Sequence, residues 1–185
     1  MTDPEINHPL DQCSQMAEYM IDVGQRSMLF WDTMRQRGNQ YLDYVKGGVT
    51  HVLDYDFDII MEGGTLSEPV NYYLVRVRPK EGNAVDDHKR PFVVIDPRAG
   101  HGPGIGGFKA DSEIGMILAE GHPCYYIGFT PTPEPGQTIE AVMRAEGEFL
   151  KKIHALHAET DGKPVVIGNC QAGWAVLMLA AVYPD

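Results

Sequence analysis

The hexapeptide Gly168-Asn169-Cys170-Gln171-Ala172-Gly173 carries the sharpest chemical signal in the chain. Val165-Val166-Ile167 before it reads as a short buried strand, and Gln171 to Tyr183 after it reads as an apolar helix. A thiol on a tight strand-to-helix turn is a candidate nucleophile. In such a turn, side chains two positions before and two or three after the nucleophile would strike the neighbouring strand or helix. Gly168, Ala172 and Gly173 are all small, although Ala172 stands where the strict pattern has Gly. A helix beginning at Gln171 aims free N–H groups and the positive end of its dipole at Cys170, which favours negative charge there. The competing reading is an inert core cysteine at an ordinary turn.

A second feature is Arg98-Ala99-Gly100-His101-Gly102-Pro103-Gly104-Ile105-Gly106-Gly107, after a strand ending near Asp96. Residues 102–107 satisfy G-x-G-x-x-G, the dinucleotide fingerprint. That match starts six residues beyond the strand, contains Pro, and lacks an acid at the end of the next strand. The preferred reading is the loop after the third strand of an α/β-hydrolase. There a His-Gly pair offers backbone N–H groups to an oxyanion, together with the N–H that follows the nucleophile. The oxyanion donors are then the N–H of Gln171 and one from His101 or Gly102. A glycine loop without a role is the third reading. Arg98 and Lys109 flank the loop, and either meets an anionic group or pairs on the surface.

The seven histidines include none on a late loop after Cys170, where a hydrolase base belongs. The ring of His101 could reach Cys170 across the sheet edge, although its backbone is the stronger expectation. His154 and His157, three apart on a helix with no carboxylate at metal spacing, read as solvent-facing. No metal site and no cofactor is expected.

These residues need elements to position them. Leu53, Tyr55, Phe57, Ile59 and Met61 alternate with Asp54, Asp56 and Asp58, as on a half-buried strand. A turn begins at Glu62-Gly63-Gly64. Val70 to Arg78 is a second strand, and its Arg76 and Arg78 could face the Asp row across a hairpin. The three acids read as a solvated edge rather than a cation site. Residues 80–90 are a polar loop. Then one unit repeats: strand 92–95, helix 112–120 closed by Gly121, strand 124–127, helix 138–158, strand 165–167, helix 171–183. Ile139, Val142, Met143, Phe149, Leu150, Ile153 and Leu156 form the inward stripe of the long helix. Strand–helix alternation with continuous apolar strands predicts a parallel sheet covered on both faces, with loops 96–110, 128–137 and 168–171 at one edge.

Upstream, Met16, Met20, Val23, Ser27, Phe30, Met34 and Tyr41 lie on one helical stripe within residues 10–46. Gly24 and Gly38 weaken this helix, so two helices joined near Gly38 are an alternative. The stripe either packs on its own domain or serves a homodimer or partner contact, for which its Met and aromatic content is suited.

Composition narrows the class. The 185 residues are 43% hydrophobic and 22% charged, with 15 basic and 26 acidic residues and a net charge of −11. That fits a folded domain and excludes collagen, coiled coil and disordered tail. The acidity argues against nonspecific nucleic-acid binding. Three widely spaced cysteines make no disulfide framework. The N-terminus lacks the charge and apolar run of a signal peptide. The longest apolar run, 174–183, is too short for a membrane span of about 20 residues. A cytoplasmic protein is expected.

The stretches QRSMLFWDTMRQRGNQY (25–41), DPRAGHGPGIGGFKADSEIG (96–115) and GNCQAGW (168–174) resemble a bacterial poly(3-hydroxyalkanoate) synthetase-like family that carries a domain of unknown function. The Gly-x-Cys-x-x-Gly elbow is similar to that of polyhydroxyalkanoate synthases. The resemblance implies an α/β fold, the N-terminal half of the α/β-hydrolase fold over 48–185, preceded by a helical segment over 1–47. It implies acyl transfer from a hydroxyacyl-CoA thioester through Cys170, with a His base and an orienting Asp. The usual sheet continues beyond an elbow helix, so the expectation is a fragment that holds the nucleophile and oxyanion hole, lacks the His and Asp, and exposes an apolar sheet edge. The alternatives are a Cys-dependent small-ester or lactone hydrolase of the dienelactone-hydrolase type, and a non-catalytic polyhydroxyalkanoate-associated binding module.

Overall fold

The computed structural model describes residues 9–46, 55–98, 112–160 and 162–184. The chain divides into two units, Met1–Thr50 and His51–Asp185.

The first unit is one helix, α1 (Pro9–Lys46, 38 residues). It opens on Pro, whose fixed φ and missing N–H suit a first helical turn. It runs unbroken through Gly24 and Gly38, so the two-helix alternative is not realised. Local pairs lace its polar side, including Arg26 Nε to Asp22 Oδ2 at 2.8 Å and Arg35 Nη2 to Asp32 Oδ1 at 2.8 Å. Such exposed pairs, three or four residues apart, add little to the helix.

The second unit is an α/β structure built on a mixed five-stranded sheet. Its elements are β1 (Phe57–Glu62), a 3-10 turn (Gly63–Thr65), β2 (Tyr72–Val77), β3 (Phe92–Ile95), α2 (Glu113–Ala119), β4 (Cys124–Phe129), α3 (Ile139–Leu156), β5 (Val165–Gly168) and α4 (Gln171–Val182). The strand order is β1-β2-β4-β3-β5. β1 and β2 form an antiparallel hairpin, β2 pairs antiparallel with β4, and β4, β3 and β5 are mutually parallel. Alternate strand residues feed two cores. Leu74, Val93, Ile95, Tyr125 and Ile127 pack with Val142, Phe149 and Ile153 of α3 and with Ala172 and Leu179 of α4. Val75, Val94, Cys124 and Tyr126 pack with Ile114, Ile117 and Leu118 of α2 on the other face.

Register decides what meets at the edge. Ile95 stands opposite both Ile127 and Gly168, so β3 and β5 end level and β4 runs on to Phe129. Tyr72, the first residue of the antiparallel β2, stands opposite Phe129 at that same edge. The chain leaving β3 at Asp96 and leaving β5 at Asn169 therefore emerges side by side.

Several expectations need correction. The first strand is described from Phe57, with Tyr55 and Asp56 outside it, and Leu53 lies outside the described residues. Its register shifts between Ile59 and Met61, a bulge that leaves Ile59 exposed instead of inward. Asp54 lies outside the described residues. The Arg pair is divided: Arg78 binds Asp58, with Nε to Oδ2 at 2.9 Å, and Arg76 binds Asp87 of the polar loop. Arg78 holds the Asp58 carboxyl below its ordinary range. Ile139 and Leu156 sit at the ends of α3 and are exposed.

His157 is not solvent-facing but buried, at 5% exposure. The Asp87 carbonyl accepts from Nδ1 at 3.2 Å, which leaves Nε2 to accept the Tyr125 hydroxyl at 2.8 Å. His154 is exposed as expected. Among the described residues no cluster of three metal-ligating side chains occurs, and no helix is long and apolar enough to cross a membrane.

Two of the three sheet-facing helices, α2 and α3, start on side-chain caps, with Ser112 Oγ accepting from Gly115 N and Thr138 Oγ1 from Ala141 N, each at 3.2 Å. Thr138→Ala is expected to lower stability by about 1 kcal/mol in urea unfolding, and Thr138→Ser to cost almost nothing.

Candidate functional site

β5 delivers Gly168 to the sheet edge, and α4 begins at Gln171, so two residues must reverse the chain. Cys170 takes the strain with φ 52° and ψ −122°. A non-glycine residue in that region costs about 1–3 kcal/mol and persists only where surroundings impose it. The surroundings are specific. Ala172 N–H donates to Asn169 O at 2.9 Å and Gly173 N–H to Cys170 O at 3.1 Å. Asn169 Nδ2 donates to Glu113 Oε2 at 2.7 Å, tying the turn to the start of α2.

Gly168 is required by space. A Cβ there would lie 2.6 Å from Val176 Cγ2 and 2.8 Å from the Ala172 carbonyl oxygen, and the backbone of α4 cannot yield. Ala172 is fully buried at the same contact. Gly173 differs from expectation, since among the described residues a Cβ there would meet only the Gly168 oxygen at 3.5 Å, an ordinary contact. Among the described residues the crowding therefore demands smallness at positions 168 and 172, not at 173.

The Cys170 thiol is exposed and makes no capping bond to α4. Gln171 is the first residue of α4, and with the Ala172 and Gly173 N–H groups already on Asn169 O and Cys170 O, its own N–H is the first-turn donor left beside the thiol. An exposed thiol beside that donor can attack a carbonyl carbon while the N–H meets the developing oxyanion. Cys124 offers the contrast. It is fully buried on β4, and burial pushes its thiol up. His101, Gly102 and Lys109, with the whole 102–107 glycine pattern, lie outside the described residues.

Arg98, expected to meet an anionic group or to pair on the surface, pairs instead with the buried Glu146 and anchors a polar network whose other members sequence reading missed. Asp96, at the end of β3, is buried and accepts from Arg98 N at 2.7 Å and from the Tyr126 hydroxyl. Arg98 also has positive φ, 55°. Its guanidinium turns inward. Nη2 donates to Glu146 Oε1 at 2.6 Å and Nε to the Tyr72 hydroxyl at 2.9 Å, while its carbon lies 5.0 Å from the Trp174 ring centre. The ion pair is buried, Arg98 at 12% and Glu146 at 1% side-chain exposure. Arg98 thus joins β2, β3, α3 and the first turn of the elbow helix. Glu146 was legible in principle. It falls on the inward stripe with Val142, Phe149 and Ile153, where a carboxylate needs a buried cation.

The family designated DUF3141, a protein family of unknown function, matches residues 22–185. The chain belongs to this family. An uncharacterized protein in the ackA 5' region of Rhizobium meliloti is 57% identical over 172 residues, which are 93% of this chain and 24% of that protein. The chain therefore spans about a quarter of the length of that DUF3141-type relative. No solved structure matches the chain.

Burial lifts the Glu146 carboxyl from its ordinary 4.5 to about 7, and Arg98 opposes this only in part. The folded state therefore holds the proton more tightly than the unfolded chain does. This group contributes stability that is complete below pH 4.5 and is lost as pH rises through 7. Urea unfolding between about pH 5 and about pH 8 is expected to show this loss, at most about 3 kcal/mol, and Glu146→Gln is expected to remove it.

Proposed function

We propose that Cys170 is the nucleophile of an acyl-transfer site that takes its acyl group from a hydroxyacyl-CoA thioester. The observation that carries this reading is the backbone of Cys170, an exposed thiol held at φ 52° between a buried strand and a helix N-terminus. Strain of this kind gathers at functional sites, and a merely structural turn would be expected to place glycine there. The strand order β1-β2-β4-β3-β5, with β2 antiparallel and the elbow after β5, supports an α/β-hydrolase-type fold.

In the reaction, the Cys170 thiolate attacks the thioester carbonyl carbon. A tetrahedral oxyanion forms and is met by the Gln171 N–H and a second donor from the His101-Gly102 loop. The C–S bond to coenzyme A breaks, the acyl group stays on Cys170 Sγ, and the leaving thiolate takes up the proton that Cys170 gave to the base. A thiolate suits this exchange because nucleophile and leaving group are matched.

The base must come from elsewhere. The described histidines His88, His122, His154 and His157 all lie in segments that lead into the strands, at the edge opposite Cys170. The reading therefore draws the His and Asp from sequence outside this chain, whose match covers 24% of the Rhizobium meliloti relative. With a protein that supplies them, release of free coenzyme A from a hydroxyacyl-CoA is expected, and Cys170→Ala is expected to reduce it by about three orders of magnitude or more. Unchanged release in that variant overturns the reading, and turnover of small esters without response to acyl-CoA moves it to the hydrolase class.

A further inference from the structure

A cavity of about 310 Å³ opens beside the elbow helix, on the side of the sheet covered by α3 and α4. That size falls in the range of small-molecule sites. Val142, Met143, Trp174 and Met178 give it apolar walls, and Arg98 and Glu146 give it one polar end. Cys170 is not among its lining residues.

The polar end is incompletely satisfied. Arg98 Nη2 serves Glu146 and Nε serves Tyr72, but Nη1 is buried with no hydrogen-bond partner among the described residues. A buried, unpartnered charged donor costs more than an ordinary hydrogen bond returns. The guanidinium is already fixed between the rings of Tyr72 and Trp174, at 5.5 and 5.0 Å, so little further ordering is needed to present it.

We propose that this cavity binds a small monocarboxylate with an apolar tail, its carboxylate on the Arg98 guanidinium and its tail among Val142, Met143, Trp174 and Met178. Three features select that class. A guanidinium edge matches a carboxylate in geometry and charge. Arg98 carries one positive charge, so one negative charge is matched where the second of a dianion would find Glu146 instead of a cation. The polar side chains on the wall, Gln137 and Thr138, are already engaged with Asn71, Glu134 and Ala141, which suits an apolar tail better than a polar one. The site stands apart from the Cys170 chemistry and does not rest on it.

The test uses Trp174 emission in a Trp31→Phe background, since these are the two tryptophans of the chain. Titration with sodium hexanoate is expected to give a saturable change, and 1-hexanol to bind about tenfold more weakly. Met178→Phe, which narrows the cavity from a half-buried position, is expected to weaken hexanoate by about tenfold with unchanged far-ultraviolet circular dichroism. Cys170→Ala is expected to leave hexanoate binding as it was, so loss of the thiol chemistry and loss of this site are separate results. Absence of saturation overturns the proposal. So do hexanol binding as tightly as hexanoate, a folded Met178→Phe variant that binds like the parent, or loss of binding in Cys170→Ala.

Discussion

The β5–α4 turn is set by a close approach of backbones. Gly168 lies against the first turn of α4 so tightly that no side chain fits between them, and Ala172 fills what room remains. Two residues must then carry the chain from a strand to a helix packed back on the same sheet. The second of them is driven into a backbone region that L side chains avoid. The position of the Cys170 sulfur follows from that constraint. It is lifted out of the core on which β5 and α4 both pack, and it sits beside the Gln171 N–H that opens α4.

The edge around the turn is held by buried charge rather than by apolar packing alone. Asp96 fixes the chain as it leaves β3, and Arg98 reaches back to Glu146 on α3 and past Trp174 on α4. A buried ion pair is a poor source of net stability, because desolvation offsets most of its attraction. What it supplies here is connection. One guanidinium joins β2, the end of β3, the middle of α3 and the first turn of α4. Glu146 tolerates this site only with its carboxyl lifted toward neutrality, which makes the junction sensitive to protonation.

Much of this was legible in residue order. Continuous apolar strands, turn residues and capped helices indicated the parallel units, and the small residues around Cys170 indicated the elbow. The local signal failed where distant partners decide. The alternation from Leu53 to Met61 suggested a longer strand, but a bulge against β2 resets the register and turns Ile59 outward. His157 looked like a surface residue until Tyr125, thirty-two positions earlier, supplied its partner. Glu146 was passed over for the same reason, since its cation lies forty-eight positions away on another element. Tyr72 and Trp174 became site residues only through the register that gathers them at one edge.

The central claim is that the fold imposes strain on Cys170, and one comparison tests it directly. Stability is measured for Cys170→Gly against Cys170→Ala by urea unfolding, with both side chains free of the thiol. At an ordinary turn position alanine is the more stable or the two are equal, because glycine loses more chain entropy. At φ 52° glycine escapes the steric cost, and the account predicts the Gly variant to be more stable by about 1 kcal/mol. An alanine variant equal to or more stable than the glycine variant would contradict it.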